Sequence, residues 1–181
     1  YPQVLKYMST TVSPMTATGR LIKAMHPDAV CVFIGPCIAK KSEVIDSITF
    51  GGADYAMTYE ELASMFEAKN IDPEECTETL QQGSKFGKQY SVSGGVTAAV
   101  LETFKEANKE VDLKVKTCSG ALECKKALML LKVGKLPEDF IEGMACVGGC
   151  VNGPAMLGKS RTFLKDRNGQ IAKADDRGVL E

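Results

Sequence analysis

Residues 29–43 read AVCVFIGPCIAKKSE, and the apolar half of this stretch predicts a central element of the fold. Residues 29–34 are continuously apolar, as expected for a strand that is covered on both faces. The strand runs directly into a turn, Gly35-Pro36, and then into the thiol of Cys37. We therefore expect Cys37 to lie at the carboxyl end of a buried strand.

Helices and strands alternate along the rest of the chain. Ser13 followed by Pro14 predicts the start of a helix, and Thr58 with Glu61 forms a capping box that predicts another. The apolar spacing predicts helices over 14–25, 59–69, 95–107 and 121–133, and strands over 54–57, 113–117 and 140–144. This alternation favours an α/β fold, with a mainly parallel sheet and helices on both faces.

The remaining segments are polar. Residues 72–90 are expected to form a turn-rich surface excursion, and residues 118–120 a turn. We expect residues 1–165 to form one domain and residues 166–181 to be a polar tail or the end of the chain. Because the sequence opens inside a patterned stretch at Tyr1, we also expect it to be a fragment.

Composition excludes several classes of protein. With 181 residues, 44% hydrophobic residues and a net charge of -1, the chain can bury a core and has no basic excess for nucleic acid. The longest apolar run is far too short to cross a bilayer, and no signal peptide is visible. Seven cysteines without such a signal indicate free thiols in a reducing or anaerobic compartment. We therefore expect a cytoplasmic protein with no membrane span and no nucleic-acid partner.

A second segment, residues 142–154, reads EGMACVGGCVNGP and places thiols among glycines. Cys146 follows the last predicted strand just as Cys37 follows the first, and the carboxyl ends of parallel strands share one edge of a sheet. We therefore expect Cys37, Cys146 and Cys150 to surround a single site. Soft thiolate ligands favour an iron–sulfur cluster there, and a structural zinc site with three cysteines is the alternative.

The other cysteines are assigned mainly to packing. Cys31 in an apolar strand and Cys124 in a helix are expected in the core, because cysteine is often buried. Cys76 stands in an acidic stretch and is expected to be an exposed bystander. Cys118, at a strand end, is the one substitute ligand that we consider.

The pairing of GPCIAKKSE at residues 35–43 with EGMACVGGCVNG at residues 142–153 resembles two signature motifs of a known family. They are the second and third motifs of the large-subunit catalytic domain of iron-only (di-iron) hydrogenases, and the similarity extends over residues 1–157. The resemblance implies that the chain is a partial iron-only hydrogenase catalytic domain. In that family a 4Fe-4S cluster joined to a di-iron subcluster reversibly reduces protons to dihydrogen.

The resemblance also implies roles for individual residues, by motif position. Cys37, Cys146 and Cys150 match three cysteine ligands of the 4Fe-4S cluster, and Cys150 matches the one that bridges to the di-iron subcluster. Lys40 matches a lysine that donates to a cyanide ligand, and Met144 matches a methionine that packs against the di-iron subcluster.

The resemblance also implies a proton-relay residue near the start of this sequence and a cluster ligand upstream of it. Ser9 matches a serine of the family's proton relay. The fourth cluster ligand belongs to the family's first motif, so we expect it to precede Tyr1, and we expect this chain alone to lack the complete cluster and to be inactive. The implied partners are dihydrogen and protons as substrates, iron–sulfur electron-transfer domains or a ferredoxin, and maturation proteins.

Two departures from the family pattern keep other functions open. Gly35 stands where the prototypical enzymes carry methionine, and Pro154-Ala155 replace glycine. These substitutions resemble the sensory branch of the family, so a hydrogen-sensing regulatory hydrogenase with slow turnover is one alternative. A non-catalytic iron–sulfur protein of cluster assembly is another.

Overall fold

The computed structural model describes residues 1–46, 49–75, 83–158 and 160–180. The chain divides into two compact units. The first unit comprises Tyr1–Met8, Thr79–Asn152 and Gly158–Glu181, and the second comprises Ser9–Glu78 and Gly153–Leu157. The thiols of the two cysteine motifs therefore belong to different units, with Cys37 in the second and Cys146 and Cys150 in the first.

The second unit is built around a pair of short parallel strands. Its elements are α1 (Pro14–Met25), β1 (Val32–Ile34), α2 (Ala39–Glu43), β2 (Tyr55–Met57), α3 (Tyr59–Ala68) and a 3-10 turn at Pro73–Glu75. β1 and β2 pair from Val32↔Tyr55 to Ile34↔Met57. The Ser13 side chain caps α1, and the capping box of Thr58 and Glu61 starts α3, so both sequence-based helix starts are confirmed.

The first unit contains a second parallel pair. Its elements are a 3-10 helix at Pro2–Tyr7, α4 (Lys85–Gln89), α5 (Gly95–Glu106), β3 (Val115–Ser119), α6 (Ala121–Lys132), β4 (Phe140–Met144), a 3-10 turn at Cys150–Asn152 and α7 (Ser160–Ala172). β3 and β4 pair from Val115↔Phe140 to Ser119↔Met144. α6 packs on both strands, and Cys118 and Ala127 are buried at this contact.

The α/β class and the parallel pairing are confirmed, but the strands do not share one sheet. The described strands form two two-stranded sheets, β1–β2 and β3–β4, one in each unit. The expectation that Cys37 and Cys146 follow strands of a common sheet edge was therefore wrong. Alternation along the chain predicts parallel crossovers, but it does not say which strands become neighbours.

Three local predictions also needed correction. β3 ends two residues later than expected, because Cys118 and Ser119 pair with Gly143 and Met144 instead of forming a turn. The turn begins at Gly120, whose φ of 100° favours glycine. β1 is not covered on both faces within the second unit, where Val32 and Ile34 are exposed.

The end of the chain is more ordered than its polar composition suggests. α7 continues to Ala172, and the Glu106 carboxylate accepts hydrogen bonds from the amides of Val179 and Leu180, at 2.8 and 2.9 Å. The expected boundary at residue 165 stays a prediction. Among the described residues, no helix combines the length and apolar character needed to cross a membrane.

Candidate functional site

Cys37 lies in the turn between β1 and α2. The amide of Gly35 donates to the Met57 carbonyl at 3.0 Å, which extends the pairing of β1 with β2 up to this turn. The Cys37 carbonyl then accepts from the Lys40 amide at 3.3 Å, so the turn leads into α2. The Cys37 side chain is half-buried and is therefore partly accessible from solvent.

A side chain at position 35 would meet an aromatic neighbour. A Cβ built on Gly35 would lie 2.8 Å from Cζ and 2.9 Å from Cε1 of Phe33. The Phe33 ring therefore occupies the space into which any side chain at position 35 would project. As a result, an aromatic ring covers the backbone two residues before Cys37.

Lys40 belongs to a small polar cluster. Its ammonium forms an ion pair with Glu43, and both side chains are only 20% exposed. The Ser13 and Thr16 hydroxyls also donate to the Glu43 carboxylate, the latter at 3.0 Å. Because an ammonium has three N–H donors, the pairing with Glu43 orients Lys40 and leaves donors for a second anion.

The same cluster changes the acidity of Glu43. Burial acts to raise the pKa of Glu43, but hydrogen bonds from Lys40, Ser13 and Thr16 together outweigh it and lower the pKa below 4.5. A lowered folded-state pKa means that the unfolded chain takes up a proton first as the pH falls. The cluster therefore stabilises the fold fully above the unfolded-state pKa, and this contribution is lost as the pH falls through the folded-state pKa.

We expect Glu43→Gln to lower the free energy of unfolding at neutral pH by about 2 kcal/mol, since it removes charge-assisted hydrogen bonds. It should also flatten the loss of stability as the pH falls from neutral through the usual titration range of glutamate, because the folded-state pKa of Glu43 lies below its unfolded-state value. Urea unfolding of the metal-free chain across this pH range measures both effects, with Glu60→Gln on the exposed surface of α3 as the control. Equal pH slopes for Glu43→Gln and the unsubstituted chain would contradict the prediction.

Cys146 and Cys150 flank a tight loop that follows β4. Gly148 and Gly149 have φ values of 82° and 104°, a backbone conformation that side chains disfavour. The Gly148 amide donates to the Ser119 hydroxyl at 2.8 Å, and the Gly149 amide donates to the Cys146 carbonyl at 3.1 Å. The loop therefore turns back on itself and is fastened to the end of β3.

A segment that sequence reasoning missed supports this loop from another side. Val92 forms an antiparallel bridge with Gly149. The Ser93 amide donates to the Gly148 carbonyl, and the Val151 amide donates to the Ser91 carbonyl, each at 3.3 Å. The approach is so close that a Cβ on Gly149 would lie 2.5 Å from the Ser91 oxygen. Gly94-Gly95 is the only sequence signal near this contact.

The loop suits a sulfur-ligated, negatively charged group. Cys146 is half-buried and Cys150 is exposed. Within the described part of the chain, the amides of Cys146 and Val147 donate to no other group. Amide N–H groups beside cysteine ligands can donate to the sulfurs of an iron–sulfur cluster and tune its potential, so the donor set fits such a cluster.

The burial of the remaining cysteines differs from expectation. Cys31 and Cys124, predicted to be core residues, are only half-buried, whereas Cys118 in β3 is completely buried. Burial, and to a smaller degree the neighbouring Cys124, raises the pKa of the Cys118 thiol. Both the burial and the higher pKa disfavour Cys118 as a substitute ligand. Cys76 lies outside the described residues.

Two other candidates have local partners. Met144 is half-buried at the end of β4, where its carbonyl accepts from the Gly120 amide at 2.7 Å and from the Cys124 thiol at 3.6 Å. Ser9 is exposed, and its hydroxyl donates to Thr11 Oγ1 at 3.0 Å. The structure thus gives Met144 a fixed backbone position and places Ser9 in a local surface turn.

The meeting of the three predicted ligands stays a prediction, because Cys37 and the other two belong to different units. Within the second unit, the Ala155 amide donates to the Pro36 carbonyl at 3.1 Å, so residue 155 is hydrogen-bonded to the residue before Cys37. Across residues 1–46, 49–75, 83–158 and 160–180, no three His, Cys, Asp or Glu side chains are grouped to hold a single metal ion.

The chain belongs to a known family. Residues 1–154 match the iron only hydrogenase large subunit, C-terminal domain, which confirms the resemblance carried by the two cysteine motifs. This is a family of iron–sulfur, metal-binding oxidoreductases.

Individual relatives agree with this membership. The chain is 32% identical to the periplasmic Fe hydrogenase large subunit of Nitratidesulfovibrio vulgaris, over 87% of this chain and 48% of that protein. It is 25% identical to the cytosolic Fe-S cluster assembly factor narfl of Danio rerio, over 85% of this chain and 49% of the relative. The chain spans about half the length of these curated relatives.

A solved structure shows the same fold. An FeFe-hydrogenase from Chlamydomonas reinhardtii superimposes with a TM-score of 0.67 at 19% identity, covering 99% of this chain and 64% of that one. At this identity the likeness concerns the fold alone.

Proposed function

We propose that this chain is part of the catalytic domain of an iron-only hydrogenase that reversibly reduces protons to dihydrogen. The observation that carries the proposal is the pairing of the two cysteine motifs within one family match over residues 1–154. Both motifs present thiols in turns that directly follow a strand, β1 for Cys37 and β4 for Cys146. When bound, the hydrogenase cluster would supply the metal centre for the chemistry and would relay electrons to or from the electron partner.

The ligand roles rest on the donor set of the two turns. Cys37, Cys146 and Cys150 would hold the 4Fe-4S cluster, and Cys150 would bridge to the di-iron subcluster. The hydrogen bond from Ala155 to Pro36 supports this assignment, because it ties the chain that follows Cys150 to the turn that carries Cys37. A fourth ligand, expected upstream in the protein, would complete the set.

The supporting residues act on charge and packing. Lys40, oriented by Glu43, would donate to an anionic ligand of the cluster. Met144 would contribute an apolar contact and limit access of water. Ser9 remains a proposal as a proton relay, and its described contact is only the local one with Thr11.

Partners and location follow from the same proposal. Dihydrogen and protons would be the substrates, iron–sulfur domains or a ferredoxin the electron partners, and maturation proteins the source of the di-iron subcluster. We propose a cytoplasmic location for this chain, whereas the relative from Nitratidesulfovibrio vulgaris is named as periplasmic.

A sensory hydrogenase is a second candidate, favoured by one contact. Residue 35 is glycine, so this chain offers no side chain there, and the Phe33 ring fills the adjacent space. A changed contact at that point is compatible with slow turnover that reports dihydrogen to a signalling partner. A cluster-assembly role is the third candidate, favoured by the similarity to the narfl protein.

Spectroscopy of the full-length protein, prepared without oxygen, separates these candidates. Iron and sulfide analysis follows incubation with ferrous iron and sulfide, and infrared spectra follow treatment with the maturation proteins. Carbonyl and cyanide bands with rapid dihydrogen turnover support the hydrogenase, and the same bands with very slow turnover favour the sensor. Iron and sulfide without those bands favour the assembly role, and stoichiometric zinc without sulfide would refute all three.

A further inference from the structure

Glu142 carries a buried carboxylate that the proposed chemistry does not use. It stands in β4, four residues before Cys146, and is only 4% exposed. Its Oε1 accepts from the Gly94 amide at 2.8 Å. Its Oε2 accepts from the amide of Thr97 at 2.9 Å and from the Thr97 hydroxyl at 2.5 Å. A carboxylate with three donors is fully satisfied despite its burial.

These donors belong to the start of α5. The first amides of a helix have no partner within the helix, and a side chain usually accepts from them. Gly94, at the N-cap with a φ of 90°, has no side chain to do so. Glu142 therefore caps α5 from a distant strand, and its negative charge complements the positive end of the helix dipole.

The capped segment is the one that supports the cysteine loop. Residues 91–93 immediately precede Gly94 and hydrogen-bond to residues 148–151. Glu142 thus fixes the supporting segment, which in turn contacts the chain between Cys146 and Cys150. Two residues connect the carboxylate to the loop. The Gly94 amide donates to Glu142, and the amide of the adjacent Ser93 donates to the Gly148 carbonyl.

The opposite face of β4 contacts a different element. A Cβ on Gly143 would lie 3.3 Å from the Cys124 sulfur in α6, whereas the neighbouring Glu142 reaches α5. Since successive residues of a strand point to opposite faces, the strand that leads to Cys146 is held from both sides. The Glu142 side is the one that leads to residues 91–93, which hydrogen-bond to the loop.

We propose that Glu142 is a positioning residue that locks residues 91–97 against the Cys146–Cys150 loop and so sets the geometry of these two thiols before any cluster binds. That the thiols bind a cluster rests on the proposed function. The positioning itself does not, because every contact named lies within the first unit and involves protein atoms alone.

Glu142→Gln tests the proposal in the metal-free full-length protein. Glutamine keeps the volume but turns one acceptor oxygen into an NH₂ group that faces N–H donors. Hydrogen-exchange mass spectrometry should show residues 91–94 and 148–151 exchanging about tenfold faster, because charge-assisted hydrogen bonds are lost. A role in packing alone predicts no change, since the volume is unaltered, and unchanged exchange at 148–151 would overturn the proposal.

Glu61→Gln is the matched control. Glu61 also accepts at the start of a helix, from the Thr58 amide at 2.8 Å in the second unit. Its substitution should speed exchange at the start of α3 and leave residues 148–151 unchanged. An equal increase at 148–151 in this control would show a general loss of stability and contradict the proposal.

Thr97→Val keeps the experiment decisive if Glu142→Gln does not fold. It removes one hydroxyl donor to Glu142 and should speed exchange at 148–151 by about threefold. Iron and sulfide uptake of the same proteins provides the second measurement. Absence of uptake by the unsubstituted protein would refute the proposed function, while the exchange data would still decide the role of Glu142.

Discussion

Replacing Cys146 or Cys150 by serine should abolish cluster binding. Under anaerobic reconstitution of the full-length protein, we expect bound iron and sulfide to fall by about tenfold or more relative to the unsubstituted protein. A serine hydroxyl is a hard oxygen donor that ionises far less readily than a thiol, so it does not replace a soft thiolate at iron. Cys37→Ser should have the same effect if Cys37 is the third ligand.

Cys31→Ser is the matched control for these substitutions. Cys31 is half-buried like Cys37 and Cys146, and its sulfur lies 4.0 Å from the Gly19 carbonyl instead of in either turn. We expect its iron and sulfide content to match that of the unsubstituted protein. Iron analysis, sulfide analysis and electron paramagnetic resonance measure the effect. Retention of full cluster content by Cys146→Ser or Cys150→Ser would exclude that residue as a ligand.

Gly149→Ala should lower the free energy of unfolding by about 3 kcal/mol or more. One part of the cost is backbone strain, because φ at Gly149 is 104°. The other part is a collision, since the new Cβ would lie 2.5 Å from the Ser91 oxygen and from the Val92 Cα. Neither neighbour is the end of a flexible side chain, so relief requires residues 91–93 to move away from the loop.

Gly134→Ala separates the two parts of this cost. Gly134 also has a positive φ, 67°, but a Cβ there would meet nothing within 4 Å. We therefore expect a loss of only about 1 kcal/mol, from backbone strain alone. Urea unfolding followed by circular dichroism measures both variants. Equal losses for the two would mean that the contact between Gly149 and Ser91 contributes little.

Structural elements that depend on interactions between residues close in sequence could be predicted from the sequence. Ser13 caps α1 through the Thr16 amide, and Thr58 and Glu61 satisfy each other's backbone at the start of α3. Each of these residues lies within three positions of its partner, so the local sequence pattern is sufficient to predict the interaction. The same holds for the thiols of the two motifs, whose turn-forming neighbours predicted that they would follow strands.

Contacts between residues that are distant in sequence could not be predicted in this way. The polar cluster at Glu43 joins side chains 27 and 30 residues away, and the Glu142 carboxylate reaches residues 45 and 48 positions earlier. Nothing in the spacing of Ser91 and Gly149 indicates that their backbones meet. These pairings depend on which strands become neighbours and on how helices pack over them.

The sequence by itself determined the α/β class, the starts of α1, α3, α5 and α6, the approximate positions of the strands and the two thiol-bearing turns, because these follow from side chains acting on nearby backbone. It did not indicate α2, α4 or α7. Only the tertiary structure decided that the strands pair in two separate sheets, that Cys118 is the buried thiol, and that Glu142 caps α5. Such choices are made when distant segments compete for the same buried surface and hydrogen-bond partners, and packing selects the arrangement that satisfies them together.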